Sequence, residues 1–365
     1  MQTQHVKEYL KELITCTQCG YCKEVCPIFE DIGWDSASAR GKVALAYGLY
    51  MGDIEPDESV LERLLQCTTC EDCKRRCPSK TEVVKAIEAI RKDLNEAGFS
   101  LDVHKKIYDN IMKYNNPYAE TSSRSEILGE EPKMAEIAYF VGCTAIYRNK
   151  EIVDAGISIL KKLGVDYTIL NEVCCGSVLQ RTGFDDEALK KLIDANIDAI
   201  EQSGAKKVLF SCAGCLRMFR KEYKKFRDFN FEPLHFTEWL VDQEFSLKPY
   251  PKKVTYHDPC HLGRHIGVYS APRKLITRIP EIQFQEMEYK EDQAKCCGGG
   301  GGVRSAYPEL SQAIAENRVK QAEFAEVLLN TCPFCLNTLK FGNEKLNQNI
   351  EIIDLLQLID QLIEK

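Results

Sequence analysis

The sequence predicts an α+α/β chain, with an all-helical N-terminal unit followed by two tandem α/β units. Three observations carry this. Two runs of four cysteines near the N-terminus share one spacing, and the apolar residues between them recur at helical intervals. Beyond residue 133 the pattern changes to short apolar strands alternating with amphipathic helices. That second pattern then repeats, with its cysteines in register.

The 365 residues are 44% apolar and 28% charged, an ordinary globular composition. A length of this order suits two or three domains. The net charge of −7 excludes nucleic acid as the main partner, because phosphate binding needs clustered Lys and Arg. No apolar run approaches the roughly 18 residues of a membrane span. The start, MQTQHVKEYLKEL, reads as a polar amphipathic helix rather than a signal peptide. A cytoplasmic location follows as the expectation, and thiols there stay reduced. Eighteen cysteines in such a compartment point to metal binding rather than disulfides.

The N-terminal runs are CTQCGYCKEVCP (Cys16, Cys19, Cys22, Cys26) and CTTCEDCKRRCP (Cys67, Cys70, Cys73, Cys77). Each reads C-x2-C-x2-C-x3-C-P, the bacterial-type [4Fe–4S] run. In two-cluster ferredoxins the fourth cysteine crosses to the other cluster. One cubane is therefore expected on Cys16, Cys19, Cys22 and Cys77, the other on Cys67, Cys70, Cys73 and Cys26. Structural zinc is the competing reading, but it takes four ligands in two CxxC pairs, and each run has a third close cysteine. Between the runs Val60, Leu61, Leu64 and Leu65 mark a helix, and no strand alternation occurs. Lys74, Arg75 and Arg76 beside the second run could guide an acidic partner, raise a cluster potential, or form a solvated face.

Residues 1–114 thus read as a helical double-cluster ferredoxin domain, and the polar segment 115–133 as a linker. In 134–248, AEIAYFVG, VDYTIL and KKVLFS read as strands. NKEIVDAGISILKKLG, ending at Gly164, and FDDEALKKLIDANIDAIEQSG read as helices. Residues 249–365 repeat the scheme: strand then Cys, strand then Cys-Cys-Gly, strand then C-x-x-C. Ligands gather where parallel strands end, so the five thiols of each copy should converge on one rim. Eight cysteines in the runs and five in each repeat account for all 18.

In CCGGGGGVRS two neighbouring thiols meet five glycines. Adjacent residues of an extended strand face opposite ways, so Cys296 and Cys297 reach one centre only if the chain turns sharply. Glycine permits that turn and lets backbone approach a bulky inorganic core. The same applies to Cys174, Cys175 and Gly176. A P-loop is excluded by the missing GK[ST] ending. Five thiolates exceed the four a cubane takes, so each repeat holds either a spare reactive thiolate or an unusual cluster.

HDPCHLG, CCGGGGGVRS and TCPFC, behind the paired runs, resemble the cysteine-rich CCG-domain family. That family includes heterodisulfide reductase catalytic subunits of the fused, D-type form and iron–sulfur subunits of hydroxyacid dehydrogenases. The resemblance implies two tandem α/β CCG domains after an N-terminal all-helical two-cluster ferredoxin. It implies one noncubane [4Fe–4S] cluster on Cys143, Cys174, Cys175, Cys212 and Cys215. A second falls on Cys260, Cys296, Cys297, Cys332 and Cys335, and a disulfide is reduced between the two. The complete five-Cys sets favour a disulfide reductase, with Cys297 and Cys175 at the chemistry. The alternative is an electron-transfer subunit of a FAD-linked glycolate, lactate or glycerol-3-phosphate dehydrogenase. No flavin motif is visible on this chain, so electrons should arrive from a membrane cytochrome b or a flavoprotein partner. A cytochrome partner would hold the chain at the inner face of the membrane.

His257 and His261 flank Cys260 and are candidates for protonating a departing thiolate or for hydrogen bonding to cluster sulfur. Asp258 could orient either ring. Arg264 and His265 could hold an anionic substrate group or lie exposed on a helix. His5, His104 and His235 read as ordinary. The tail 349–365 reads as one amphipathic helix that packs on its own core or docks on a partner.

Overall fold

A computed structural model describes residues 1–364. Among them no strand occurs before Ile137, and the N-terminal third is helical as its periodicity predicts. The helix Glu58–Leu65 buries Val60, Leu61, Leu64 and Leu65 on one face, and Asp57 caps it by accepting from Val60 N–H at 2.8 Å. Pro27 opens the helix Pro27–Ile32, where its missing N–H costs nothing.

Two four-stranded parallel sheets follow. The first contains β1 (Ile137–Phe140), β2 (Tyr167–Ile169), β3 (Lys207–Phe210) and β4 (Glu232–His235) in the order β2-β1-β3-β4. The second contains β5 (Lys253–Tyr256), β6 (Gln283–Phe284), β7 (Val327–Asn330) and β8 (Glu351–Asp354) in the matching order β6-β5-β7-β8. The strands are short and largely buried, as parallel strands covered by helices on both faces must be. The apolar cores of the two sheets merge into one. No described helix is long and apolar enough to cross a membrane.

Two expectations change. The tail is not one helix: residues 351–354 form β8, paired in parallel with β7, and the helix is Leu355–Leu362. Asp354 ends the strand and caps the helix through Leu356 N–H. The helix packs within the protein, with Lys162 of the first α/β unit donating to Asp360 at 2.8 Å. The segment 115–133 is also more than a polar connection. It carries a helix, Arg124–Leu128, closed by a capping box of Ser123 and Glu126, and it buries Arg124 and Ser125.

Candidate metal centres and the cavity between them

The two N-terminal runs bring their thiols to two small cavities. Cys16, Cys19, Cys22 and Cys77 line one. Cys26, Cys67 and Cys70 line the other, and Cys73 borders both. The fourth cysteine of each run therefore sits with the other run's thiols. All-thiol donor sets around closed cavities fit iron–sulfur clusters. The first cavity lies toward solvent, with Cys19 exposed; at the second, Cys70 and Cys73 are buried. Lys74, Arg75 and Arg76 pair with Glu82 (2.5 Å), Asp72 (2.8 Å) and Glu24 (2.7 Å). Partners within the chain thus offset these charges, which makes them a poor lure for an acidic protein.

The remaining ten cysteines follow the C-terminal ends of β1, β2, β3, β5, β6 and β7, the edge where parallel α/β sheets place their ligands. Nine of the ten, all but Cys296, line a single cavity of about 360 Å³. Cys212 and Cys332, one from each unit, are hydrogen-bonded thiols, so the two five-Cys sets touch. Hydrogen bonds from Cys174 and Cys215 pull the Cys175 thiol down to about 6. Those from Cys296 and Cys335 pull Cys297 well below the ordinary thiol range. In the first set Cys175 alone is lowered, whereas in the second Cys332, hydrogen-bonded by Cys212 and Cys335, is held well below the ordinary range as well, and Cys296 is lowered too. Tyr118 and Phe334 add aromatic wall, and buried Arg181 reaches the cavity with Nε and Nη2 unpartnered.

The glycine run has a second task besides turning the chain. Gly300 and Gly301 lie against the second cysteine run: a Cβ at Gly301 would fall 2.0 Å from the Cys67 carbonyl oxygen. Cys296 faces the same way, its Sγ 3.6 Å from Thr68 Oγ1. The second α/β unit therefore meets the ferredoxin-like unit backbone to backbone.

His261 lines the cavity, while His257 lies behind it. His257 Nδ1 accepts from Arg318 Nε at 3.1 Å, which leaves the proton on Nε2, and its ring reaches within 4.8 Å of the Cys297 and Cys335 thiols. Burial, then the charges of Arg318 and Arg181 respectively, push His257 and His261 down to about 3, so both rings are neutral. Asp258 orients neither ring; it receives both Nη groups of Arg273 at 2.8 Å. Arg264 and His265 are neither exposed nor free to hold an anion. Arg264 Nε donates to Cys70 O at 2.8 Å, and His265 bridges Arg217 Nε (2.9 Å) and Thr69 O (3.0 Å). Both hold the second unit on the second cysteine run.

The periodicity gives no sign of Arg124. Its Nη2 donates to Cys143 Sγ at 3.2 Å, and its Nε lies 3.5 Å from buried Glu172. The signal was SRSE, a capping box inside a segment that otherwise reads as linker.

Comparison with known proteins agrees with this layout. The 4Fe-4S dicluster domain matches residues 12–81, and the Cysteine-rich (CCG) domain matches 137–220 and 254–340. The D subunit of dihydromethanophenazine:CoB--CoM heterodisulfide reductase from Methanosarcina barkeri is 35% identical over 97% of this chain and 95% of its own. The B subunit of fumarate reductase (CoM/CoB) from Methanothermobacter marburgensis is 32% identical over 96% of this chain and 72% of its own. A hypothetical protein from Helicobacter pylori shares the fold, with a TM-score of 0.61 and 10% identity over 99% of this chain and 72% of its own. The chain belongs to the CCG-domain iron–sulfur oxidoreductases, in the family of the heterodisulfide reductase D subunits.

Proposed function

We propose that the chain is the catalytic subunit of a heterodisulfide reductase-like complex. It reduces a disulfide, R–S–S–R′ + 2e⁻ + 2H⁺ → RSH + R′SH, with electrons from a partner cytochrome b or flavoprotein. The substrate is a coenzyme M–coenzyme B heterodisulfide or one like it. The observation that carries this reading is the shared cavity: nine thiols from two five-Cys sets surround one space of about 360 Å³.

Cys16, Cys19, Cys22 and Cys77 would hold one cubane cluster, and Cys67, Cys70, Cys73 and Cys26 the other. Cys143, Cys174, Cys175, Cys212 and Cys215 would hold one noncubane cluster, and Cys260, Cys296, Cys297, Cys332 and Cys335 the second. Bound clusters supply one-electron steps, which a two-electron cleavage needs in pairs. Cys175 and Cys297, the second cysteine of each Cys-Cys pair, stand at the cavity. Tyr118 and Phe334 exclude water from it. His261 offers a neutral imidazole to the substrate sulfur, and His257 steadies the Cys297 and Cys335 thiols from behind. The units 1–114, 134–248 and 249–365 divide these tasks, with the segment 115–133 serving the first five-Cys set.

The test is disulfide-dependent oxidation of reduced viologen by anaerobically purified, iron-loaded protein. Turnover with a heterodisulfide that vanishes in Cys297→Ser is expected. A fully loaded protein that turns over no disulfide would overturn the proposal in favour of a conduit serving a flavin-linked hydroxyacid dehydrogenase.

A further inference from the structure

The second cysteine run is surrounded by buried positive charge that has no carboxylate of its own. Lys42 lines the cavity of Cys26, Cys67, Cys70 and Cys73 and is 1% exposed. Its ammonium donates to the Ala37 carbonyl, and the negative groups acting on it are the thiols of Cys26, Cys67 and Cys73. Arg91 is also 1% exposed. Its guanidinium donates only to carbonyl oxygens, those of Leu64, Leu65, Cys67, Arg181 and Gly301. The carboxylate acting on it, Glu88, is already paired with Arg181.

A buried cation without a counter-ion is strongly unfavourable. Two of them beside four thiols imply that the missing negative charge is the thiolate-ligated group those thiols hold. The first run is built differently. Its neighbouring cation, Arg40, is bound to partly exposed Asp35 at 2.6 Å, and Lys23 shares the same carboxylate at 2.9 Å. Water and Asp35 screen that charge.

Adding an electron to a cluster adds negative charge. Burial opposes this at the second run, as do Glu71, which lines the same cavity, and buried Asp72, whose charge Arg75 offsets at 2.8 Å; the two cations without a carboxylate partner favour it. With both cations uncompensated and in a water-poor site, attraction dominates. We propose that Lys42 and Arg91 are the built-in counter-ions of the second-run cluster and make it the higher-potential of the two N-terminal clusters. Electrons are thereby drawn from the exposed first run to the run that touches Cys296. This rests on the ligand sets proposed above.

The experiment is redox titration of the full-length, iron-loaded protein, with the midpoint of each N-terminal cluster followed by EPR. Cys67→Ser identifies the second-run signal. In the unmodified protein that signal should titrate at the higher potential. Lys42→Met should lower its reduction equilibrium constant at least tenfold, about 59 mV for a one-electron couple, and leave the first-run midpoint in place. Lys42→Arg and Arg91→Lys, which keep the charge, should shift it less than tenfold. Loss of the second-run signal in Lys42→Met but not in Lys42→Arg would equally support the counter-ion role. A second-run midpoint at or below the first, or equal shifts at both runs, would overturn the inference and leave the ligand sets standing. If Cys67→Ser removes no signal, the ligand sets fail and the inference fails with them.

Discussion

The two α/β units have the same strand order and the same five-cysteine scheme, yet their Cys-Cys loops are held by different neighbours. In the first unit Asn196 Nδ2 donates to Cys174 O (3.2 Å) and to Tyr223 Oη (3.0 Å), and Tyr223 Oη donates to Cys175 O (3.2 Å). Arg124 and Glu172 complete the support from the segment after the N-terminal unit. In the second unit, the residue at the matching offset from the Cys-Cys pair is Arg318, fully buried, which holds the His257 ring instead of the loop. Its loop is fixed from outside by the second cysteine run, by Arg264 and by His104, whose Nε2 lies 3.1 Å from Gly302 O. The repeat keeps the thiols, while differences within it, such as Asn196 against Arg318, and contacts from the non-repeated N-terminal residues give each copy its own surroundings; Gly300 and Gly301 pack the second loop onto the Cys67–Thr68 backbone.

The largest break in this comparison should come from Arg124→Met. It strands Glu172 as a buried charge, at a cost of about 3–5 kcal/mol. Denaturant unfolding should show the loss, and amide exchange should confine it to the first sheet. Arg124→Met combined with Glu172→Leu should recover most of it.

His104 tests the second unit through pH. Burial pushes its ring down to about 4, so the folded chain binds fewer protons than the unfolded chain between that value and about 6.5. Stability should therefore fall as pH drops through this window, by about 3 kcal/mol in all. His104→Gln should flatten that part of the unfolding profile; an unchanged slope would show that the contact with Gly302 carries no pH dependence.

Glycine swaps sharpen the contrast between loops. Gly176 and Gly301 both have positive φ, so alanine costs each roughly 1–3 kcal/mol of backbone strain. A Cβ at Gly176 meets the Leu189 Cδ1 atom at 2.3 Å, the end of a flexible side chain. At Gly301 it meets a backbone carbonyl that cannot turn aside. Gly301→Ala should lower the melting temperature more than Gly176→Ala, and equal shifts would deny the backbone-to-backbone seam. The smallest effect belongs to Asp360→Asn. Its partly exposed pair with Lys162 joins the two units, and losing it should cost no more than about 1 kcal/mol in the same melts.

Much of the site was legible because it is written in local spacing. The C-x2-C-x2-C-x3-C-P runs and the strand-then-cysteine order name the thiols, and parallel α/β geometry carries ten of them to one edge. The crossing of Cys26 and Cys77 between runs follows from the same grammar. Arg124 was hidden because the polar residues around its capping box outweigh it in any windowed pattern. The tail misled because Ile352, Leu356 and Ile359 suit one helical stripe, whereas β7 offered unpaired backbone that residues 351–354 satisfy as a strand.

The sequence by itself determined which thiols exist, how they group and which strand ends they follow, since spacing and periodicity need no distant partner. Only the tertiary structure decided which α/β unit meets the second cysteine run and where the buried cations go. Arg91 shows why: it donates to Gly301, 210 residues away, and to Arg181, 90 residues away, so its burial is tolerable only once three separate parts of the chain supply their carbonyls.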